Sequence, residues 1–185
     1  MDQAAVEYRR FLDGDDAGLE ALIRAYKDGL MLFLNSYVQD LAAAEELMEE
    51  TFVRLVVRRP HFSPHASFKT YLYTIGRRLA VDYLRRTDRV TTLPPEDWSA
   101  LQAEQETLEQ HCLREERRIR LHRAMGRLNP AYRQVLYLAF FEELSNPQIA
   151  TVTGQSRRQV ENRLYRAKAA LRAELVKEGI QDEGL

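Results

Sequence analysis

The chain has 185 residues, of which 45% are hydrophobic and 30% charged, and its formal net charge is −1. This composition is typical of a globular protein of one domain or two small ones, and the net charge indicates no class of partner. A single cysteine, Cys112, excludes an internal disulfide, and no apolar run approaches the roughly 20 residues of a membrane span, so we expect a cytoplasmic protein without membrane insertion.

The N-terminal half is predicted to be helical, because apolar residues recur at three and four positions and never alternate strictly. We expect three helices there: Leu19 to Tyr37, Leu41 to Arg59, and residues 68–86. Pro60 and Pro64 interrupt the second helix, since proline and the residue before it disfavour helical continuation.

A break follows the third helix. Residues 87–98, TDRVTTLPPEDW, contain paired prolines and few apolar side chains, which predicts a linker. Beyond it we expect a charged helix from Ser99 to about Leu128 and another from Ala131 to Glu142. The predicted division is a first domain over residues 1–86, a linker over 87–115 and a second domain over 116–185.

The most specific pattern lies near the C-terminus, in ELSNPQIATVTGQSRRQVENRLYRAKAALRAEL. Ser145 is a good N-cap and Pro147 falls in the first turn of a short helix, where its missing N–H costs nothing. Gly154 suits the sharp turn that follows, and Ser156 caps a second helix. This arrangement is typical of a helix-turn-helix.

The second helix of this motif has the side chains that read bases in a DNA major groove. Arginine pairs with guanine, asparagine with adenine, and glutamate accepts from cytosine. Its exposed positions are predicted to include Arg157, Arg158, Glu161, Asn162, Arg163, Arg166 and Lys168. The alternative is an amphipathic hairpin in an unrelated bundle, which explains the apolar stripe but not the agreement of caps, turn glycine and basic face.

A second basic surface lies earlier in the chain. Residues 54–89 carry nine arginines and lysines against only Asp82 and Asp88. In FKTYLYTIGRRLAVDYLRR, residues 68–86, Tyr73 is predicted to face water among cations. Aromatic rings between cations suit unpaired bases, which stack on them, although buried or idle tyrosines are the simpler alternative.

Both halves together resemble a bacterial sigma factor of the extracytoplasmic-function type, within the sigma-70 family. The resemblance rests on DLAAAEELMEETFVRLV, FKTYLYTIGRRLAVDYLRR and LNPAYRQVLYLAFFEELSNPQIATVTGQSRRQVENRLYRAKAALR, in that order. It implies an all-α protein in which a sigma-2-like helical bundle and a sigma-4-like helix-turn-helix domain are joined by a flexible linker. It also implies a subunit that binds core RNA polymerase and directs promoter-specific transcription initiation.

The resemblance assigns roles to particular residues. The segment that docks on the polymerase corresponds to Leu47, Glu49, Glu50 and Phe52. The surface that meets the minus-ten element as the strands part corresponds to Phe62, Ser63, His65, Tyr71, Tyr73, Arg77, Arg78, Arg85 and Arg86. The second helix of the helix-turn-helix corresponds to the reader of the minus-thirty-five element, with Glu161, Asn162 and Arg166 at the bases and the other cations on phosphates. Promoter DNA, core polymerase and an anti-sigma factor are the implied partners.

Two alternatives were weighed against this interpretation. One is a stand-alone helix-turn-helix regulator, which would bind paired half-sites as a dimer and would leave the acidic docking segment unexplained. The other is an enzyme, but His61 and His65 stand among prolines without a completing ligand, and no phosphate-binding or nucleophile motif occurs. We therefore expect no enzyme activity, no cofactor, no metal and no small-molecule substrate.

Overall fold

The computed structural model describes residues 3–60, 67–87 and 121–177, and within these ranges the protein is all-α, as the sequence predicts. The helices are α1 (Gln3–Leu12), α2 (Asp16–Val38), α3 (Leu41–Arg58), α4 (Phe68–Thr87), α5 (Pro130–Phe140), α6 (Asn146–Thr153) and α7 (Arg157–Lys177). Residues 121–126 are also helical. The rest of the charged helix predicted from Ser99, and the predicted linker beyond residue 87, lie outside the described residues.

Helix α1 is an element that sequence analysis did not assign. It buries Tyr8 and Phe11 against the bundle, and the ring of Tyr8 lies 5.3 Å from that of Phe68 in α4. Helix α2 then begins earlier than predicted, because the side chain of Asp15 accepts a hydrogen bond from the N–H of Ala17 at 3.1 Å and caps the first turn.

Helices α2, α3 and α4 form the bundle that the periodicity predicts. Asp40 caps α3 by accepting from the N–H of Ala43 at 3.1 Å. The apolar stripes face inward: Leu30, Leu55 and Leu72, one from each helix, are fully buried. Burial of leucine side chains contributes about 1.5–3 kcal/mol each, so these stripes hold the bundle together.

Helices α6 and α7 form a helix-turn-helix, which confirms the interpretation of the C-terminal pattern. Ser145 donates its backbone N–H to Gln148 Oε1 at 2.9 Å. At the start of α7, the backbone N–H of Ser156 donates to Gln159 Oε1 at 2.8 Å, and the backbone N–H of Gln159 donates to Ser156 Oγ at 3.2 Å. Gly154 takes the left-handed conformation with φ of 66°, where a side chain would be strained. Two capping boxes and one glycine thus fix the angle at which α7 leaves the turn.

The N-terminal helices (α1–α4) and the C-terminal helices (residues 121–177) pack directly against each other. Helix α2 contacts α5, and α4 contacts α6. Their buried apolar residues form one continuous cluster. The division into domains at residues 86 and 116 stays a prediction, since the segment that would join them lies outside the described residues.

Candidate nucleic-acid interface

Helix α7 presents a long polar face to solvent. Its cap residue Ser156 and its buried stripe of Val160, Leu164, Ala167 and Leu171 turn the opposite side outward. The predicted base-reading and phosphate-binding residues on that exposed side are Arg157, Arg158, Glu161, Asn162, Arg166 and Lys168. The fold therefore brings six of the seven predicted residues onto one accessible surface of α7, on which four of the six are basic.

Two of those residues form an ion pair. Arg157 Nε lies 2.8 Å from Glu161 Oε1, and both side chains are well exposed. An exposed pair of this kind contributes at most about 1 kcal/mol. The pair therefore restrains the two side chains only weakly.

Arg163, the seventh predicted residue, is half-buried at the contact between the two groups of helices. It lies near Tyr37 of α2, together with Arg77 of α4. Burial raises the pKa of the Tyr37 hydroxyl to about 12, and the two cations oppose that rise. Arg163 thus holds the junction in this arrangement and does not join the exposed face of α7.

Sequence analysis left two aromatic residues of this region out of the site. Tyr165 on α7 is 79% exposed, beside Arg166. Phe140 at the end of α5 is 43% exposed, and Lys168 Nζ lies 5.1 Å from its ring centroid. This cation–π contact restrains the side chain of Lys168. The alternation of Tyr165 with the arginines was the available signal, since the periodicity already placed it outward.

The exposure predicted for Tyr73 is wrong in this structure. Tyr73 has no exposed surface, and its ring lies 5.1 Å from that of Phe33. The carboxylate of Glu142, from the C-terminal helices, lies beside its hydroxyl, and burial together with that charge raises the pKa of Tyr73 well above its usual value. Periodicity placed Tyr73 on the outer face of α4, but its ring packs against Phe33 of α2 in the same bundle, and Glu142 of the C-terminal helices lies beside its hydroxyl.

The other residues predicted to meet the minus-ten element differ in exposure. Arg78, Arg85 and Arg86 are exposed, whereas Tyr71 and Arg77 are half-buried. Arg77 lies against the turn of the helix-turn-helix, 3.7 Å from where a side chain on Gly154 would begin. Phe62, Ser63 and His65 lie outside the described residues. The C-terminal helices therefore cover one part of this surface and leave another part open.

The predicted docking segment on α3 divides in the same way. Glu49 and Glu50 are exposed, but Leu47 and Phe52 are buried in the bundle, so they shape the helix and contact no partner in this arrangement. Val53 and Val57 are the exposed apolar residues of α3, at 52% and 76%. The docking residues expected from the resemblance did not include them, although Val53 and Val57 lie one turn apart on the same face of α3.

Lys69 and Glu142 join α4 to the segment after α5. Lys69 Nζ lies 2.7 Å from Glu142 Oε2 and donates to the backbone oxygen of Glu142 at 2.8 Å. Both side chains are largely buried, with exposed fractions of 25% and 8%. Tyr137 of α5 adds a hydrogen bond from its hydroxyl to the backbone oxygen of Gly29 at 3.2 Å. The covered Tyr73 lies directly beneath these contacts.

Arg133 supplies a further contact between α5 and the N-terminal helices. Its Nε donates to the backbone oxygen of Ser36 at 3.0 Å, and its Nη1 donates to the backbone oxygen of Gly126 at 3.0 Å. The side chain of Gln39 accepts from the same guanidinium in the amide orientation that satisfies both groups. Burial lowers the pKa of Arg133. A buried guanidinium shared by three acceptors holds the two groups in one register.

Within residues 3–60, 67–87 and 121–177, no group of three or more His, Cys, Asp or Glu residues is placed to hold a metal. Of the helices described, none is both long and apolar enough to cross a membrane.

Comparison with known proteins gives a consistent result. Sigma-70 region 2 matches residues 22–90 and Sigma-70, region 4 matches residues 118–171, which together span about two thirds of the 185 residues. The chain is 28% identical to RNA polymerase sigma factor YlaC of Bacillus subtilis, over 86% of this chain and 92% of that protein. It is 27% identical to the ECF RNA polymerase sigma factor SigM of the same organism, over 89% and 99%.

A solved structure has the same fold. The sigma factor RpoE of Bartonella quintana, in complex with the anti-sigma factor NepR, superimposes with a TM-score of 0.66 at 19% identity, over 86% of this chain and 96% of that one. The two region matches occur in the family's order, the relatives match over nearly the whole length, and the structure contains a helix-turn-helix within the region 4 match. The chain belongs to the extracytoplasmic-function group of the sigma-70 family of RNA polymerase sigma factors.

Proposed function

We propose that the protein is an alternative sigma factor that binds core RNA polymerase and directs initiation at promoters read through two elements. The observation that carries this proposal is α7: a doubly capped helix-turn-helix presents Glu161, Asn162 and Arg166 on one open face. These residues read bases of the minus-thirty-five element, while Arg157, Arg158 and Lys168 bind phosphates.

Docking on the polymerase uses the outer face of α3. Glu49 and Glu50 supply charge, and Val53 and Val57 supply apolar area at positions one turn apart. Charged residues steer the encounter, whereas buried apolar area slows dissociation. The docking face therefore combines two predicted residues with two that the structure adds.

Promoter opening requires the two groups of helices to separate. Tyr73 is covered by Glu142 in the arrangement described, so it cannot stack on a base until the C-terminal helices move. Binding to core polymerase at two places supplies free energy for that movement, since each helix group gains its own contacts. Arg78, Arg85 and Arg86 are exposed from the start and make the first contacts with phosphates.

We infer that the protein has no catalytic role of its own. Strand opening costs a few kcal/mol per unstacked base, which stacking and phosphate contacts offset without a chemical step. The location that fits this function is the cytoplasm, where the polymerase and the chromosome are.

An anti-sigma factor is a further proposed partner. The structurally similar RpoE of Bartonella quintana is seen in complex with the anti-sigma factor NepR. A protein that holds α4 and the helix-turn-helix together would keep Tyr73 covered, which is a simple physical route to inhibition.

In vitro transcription tests the proposal. Purified protein is mixed with bacterial core polymerase and a genomic template library, and transcript starts are mapped. We expect starts that share two upstream elements and that depend on the protein. The double variant Asn162→Ala with Arg166→Ala should lose them, whereas Arg123→Ala, an exposed arginine outside α7, should keep them. The absence of protein-dependent starts on every template would refute the proposal.

A further inference from the structure

A cleft lies between α3 and α4 on one side and the first turns of α6 on the other. Its volume is about 430 Å³, within the usual range of small-molecule sites. The N-terminal helices contribute Arg54, Arg58, Ser67, Thr70, Tyr71, Thr74, Ile75 and Arg78, and α6 contributes Pro147, Gln148 and Thr151. Both groups of helices therefore build the same cleft.

The lining is strongly cationic. Among the described residues around the cleft, three are arginines and none is acidic. Arg54 is partly engaged, because its Nε lies 2.7 Å from Glu50 Oε1, whereas Arg58 and Arg78 extend as exposed side chains. Guanidinium groups present paired donors that match the oxygen atoms of a phosphate. Three such groups around one cleft favour an anion with more than one negative charge.

Hydroxyl-bearing residues also line the cleft. Thr70 is one of them, but it is buried and its hydroxyl oxygen has almost no accessible surface, so it shapes the wall of the cleft. Ser67, which directly precedes α4 and lies four positions before Tyr71, adds a hydroxyl whose oxygen accepts from the N–H of Thr70 at 3.5 Å and whose proton can be donated.

We propose that this cleft binds a small phosphate-bearing anion, such as a pyrophosphate or a nucleotide, and that the bound anion favours the closed arrangement of the two helix groups. A ligand that contacts both groups of helices stabilises the closed arrangement, because only that arrangement offers both sets of contacts. Arg78 and Tyr71 belong also to the proposed minus-ten surface, so the anion and the promoter strand compete for them. The ligand site itself does not depend on promoter recognition.

Binding to the isolated full-length protein tests the proposal. Sodium pyrophosphate and ATP are titrated separately by calorimetry at constant ionic strength. A single-stranded DNA 20-mer is the third probe. We expect saturable one-to-one binding of at least one of the two small anions. Arg58→Ala should weaken it roughly tenfold, because one charge-assisted contact is lost. Arg24→Ala, an exposed arginine of α2 outside the cleft, should stay within about twofold.

Two substitutions at Thr151 distinguish an effect of charge on binding from an effect on folding. This residue is exposed on α6, so Thr151→Gln and Thr151→Glu have similar size and differ in charge. We expect Thr151→Glu to abolish binding and Thr151→Gln to keep it. Hydrogen exchange of α4 should slow when pyrophosphate or ATP is added to the Thr151→Gln variant and should not change in the Thr151→Glu variant.

Three results would overturn the proposal. The first is that neither small anion binds saturably. The second is that Arg24→Ala weakens binding as much as Arg58→Ala, which would mean that the anion responds only to the overall surface charge. The third is that the single-stranded 20-mer binds and the two small anions do not, which would mean that the cleft binds a nucleic-acid strand. None of these measurements involves transcription, so a failure here is distinguishable from a failure of the sigma-factor function.

Discussion

Lys69 and Glu142 form a double contact across the two groups of helices, with Nζ 2.7 Å from the carboxylate Oε2 and 2.8 Å from the backbone oxygen of the same residue. Helix α4 carries the proposed minus-ten surface, and Glu142 follows the helix that leads into the helix-turn-helix. One ion pair therefore links the helices that carry the two proposed DNA-binding surfaces, and both of its residues lie close to the buried Tyr73.

The Lys69–Glu142 pair should limit access to Tyr73. We expect Glu142→Gln to loosen the junction, because it leaves the Lys69 ammonium largely buried with a weaker acceptor, at a cost of about 1–3 kcal/mol in the free energy of unfolding. Hydrogen exchange of α4 should accelerate, and urea unfolding should shift to lower denaturant. Asp82→Asn breaks an exposed pair with Arg85 on the same helix and is the control. Equal effects of both changes would contradict a special role for the junction.

Gly29 tests how closely the two groups approach. A Cβ added there would lie 2.6 Å from Glu142 Oε1 and 2.9 Å from the Tyr73 hydroxyl oxygen, so both side chains must move away from α2. Within an isolated helix, glycine to alanine stabilises by about 1 kcal/mol. We therefore expect Gly29→Ala to raise the hydrogen-exchange rate of α4, even though alanine by itself favours the helical conformation of α2. Gly126→Ala adds a Cβ with no neighbour within 4 Å among the described residues and should leave the exchange rates unchanged.

Asn162 and Arg166 should determine sequence preference. Removing either side chain with alanine should cost about 1–3 kcal/mol in binding to the cognate upstream element and relax selectivity there. Lys168→Ala should weaken binding to all sequences alike and reduce its dependence on salt, since phosphate contacts carry no base information. Run-off transcription on matched and scrambled upstream elements measures both effects. Unchanged selectivity in the Asn162 and Arg166 variants would remove the assignment.

Val53 and Val57 should be required for polymerase binding and not for folding. Val57→Lys and Val53→Lys each place a charge on an exposed face. Each should therefore change the free energy of unfolding by no more than about 0.5 kcal/mol. Co-elution with core polymerase should nevertheless fall. Phe52→Ala, by contrast, empties a buried site and should cost about 3–5 kcal/mol of stability. Val176→Lys, on the exposed end of α7, is the control for an added charge.

Buried tyrosines should make the closed arrangement sensitive to alkali. Burial raises the pKa of Tyr37 to about 12 and that of Tyr73 well above its usual value, whereas unfolded tyrosine titrates near 10. The folded state then holds protons that the unfolded state releases, so this stability is complete below about pH 10 and is lost as pH rises through the folded pKa. Unfolding between about pH 9 and 12, followed with absorbance of tyrosinate, should show a steeper fall in the wild type than in Tyr37→Phe or Tyr73→Phe. Tyr165→Phe, which removes an exposed hydroxyl, should leave the slope unchanged.

Local patterns were sufficient for the helices and for the helix-turn-helix. Ser145, Gly154 and Ser156 act through hydrogen bonds and backbone angles within a few residues, and each stands where the sequence predicts it. The inward stripes also followed from periodicity, because a helix buries one face whatever it packs against. Helix α1 was missed because its ten residues are too few for a helix that is stable by itself, and its packing against α2 and α4 stabilises it.

The amino-acid order alone determined an all-helical chain, its capped turns and the exposed reading face of α7, since these depend on neighbours within one or two turns. Only the tertiary structure decided that Tyr73 is covered, that Arg163 points into the junction, that Arg133 is buried between distant carbonyl groups, and that Leu47 and Phe52 are core residues while Val53 and Val57 are exposed. The physical reason is that periodicity predicts which side of a helix is polar, whereas burial depends on which other helices lie against that side.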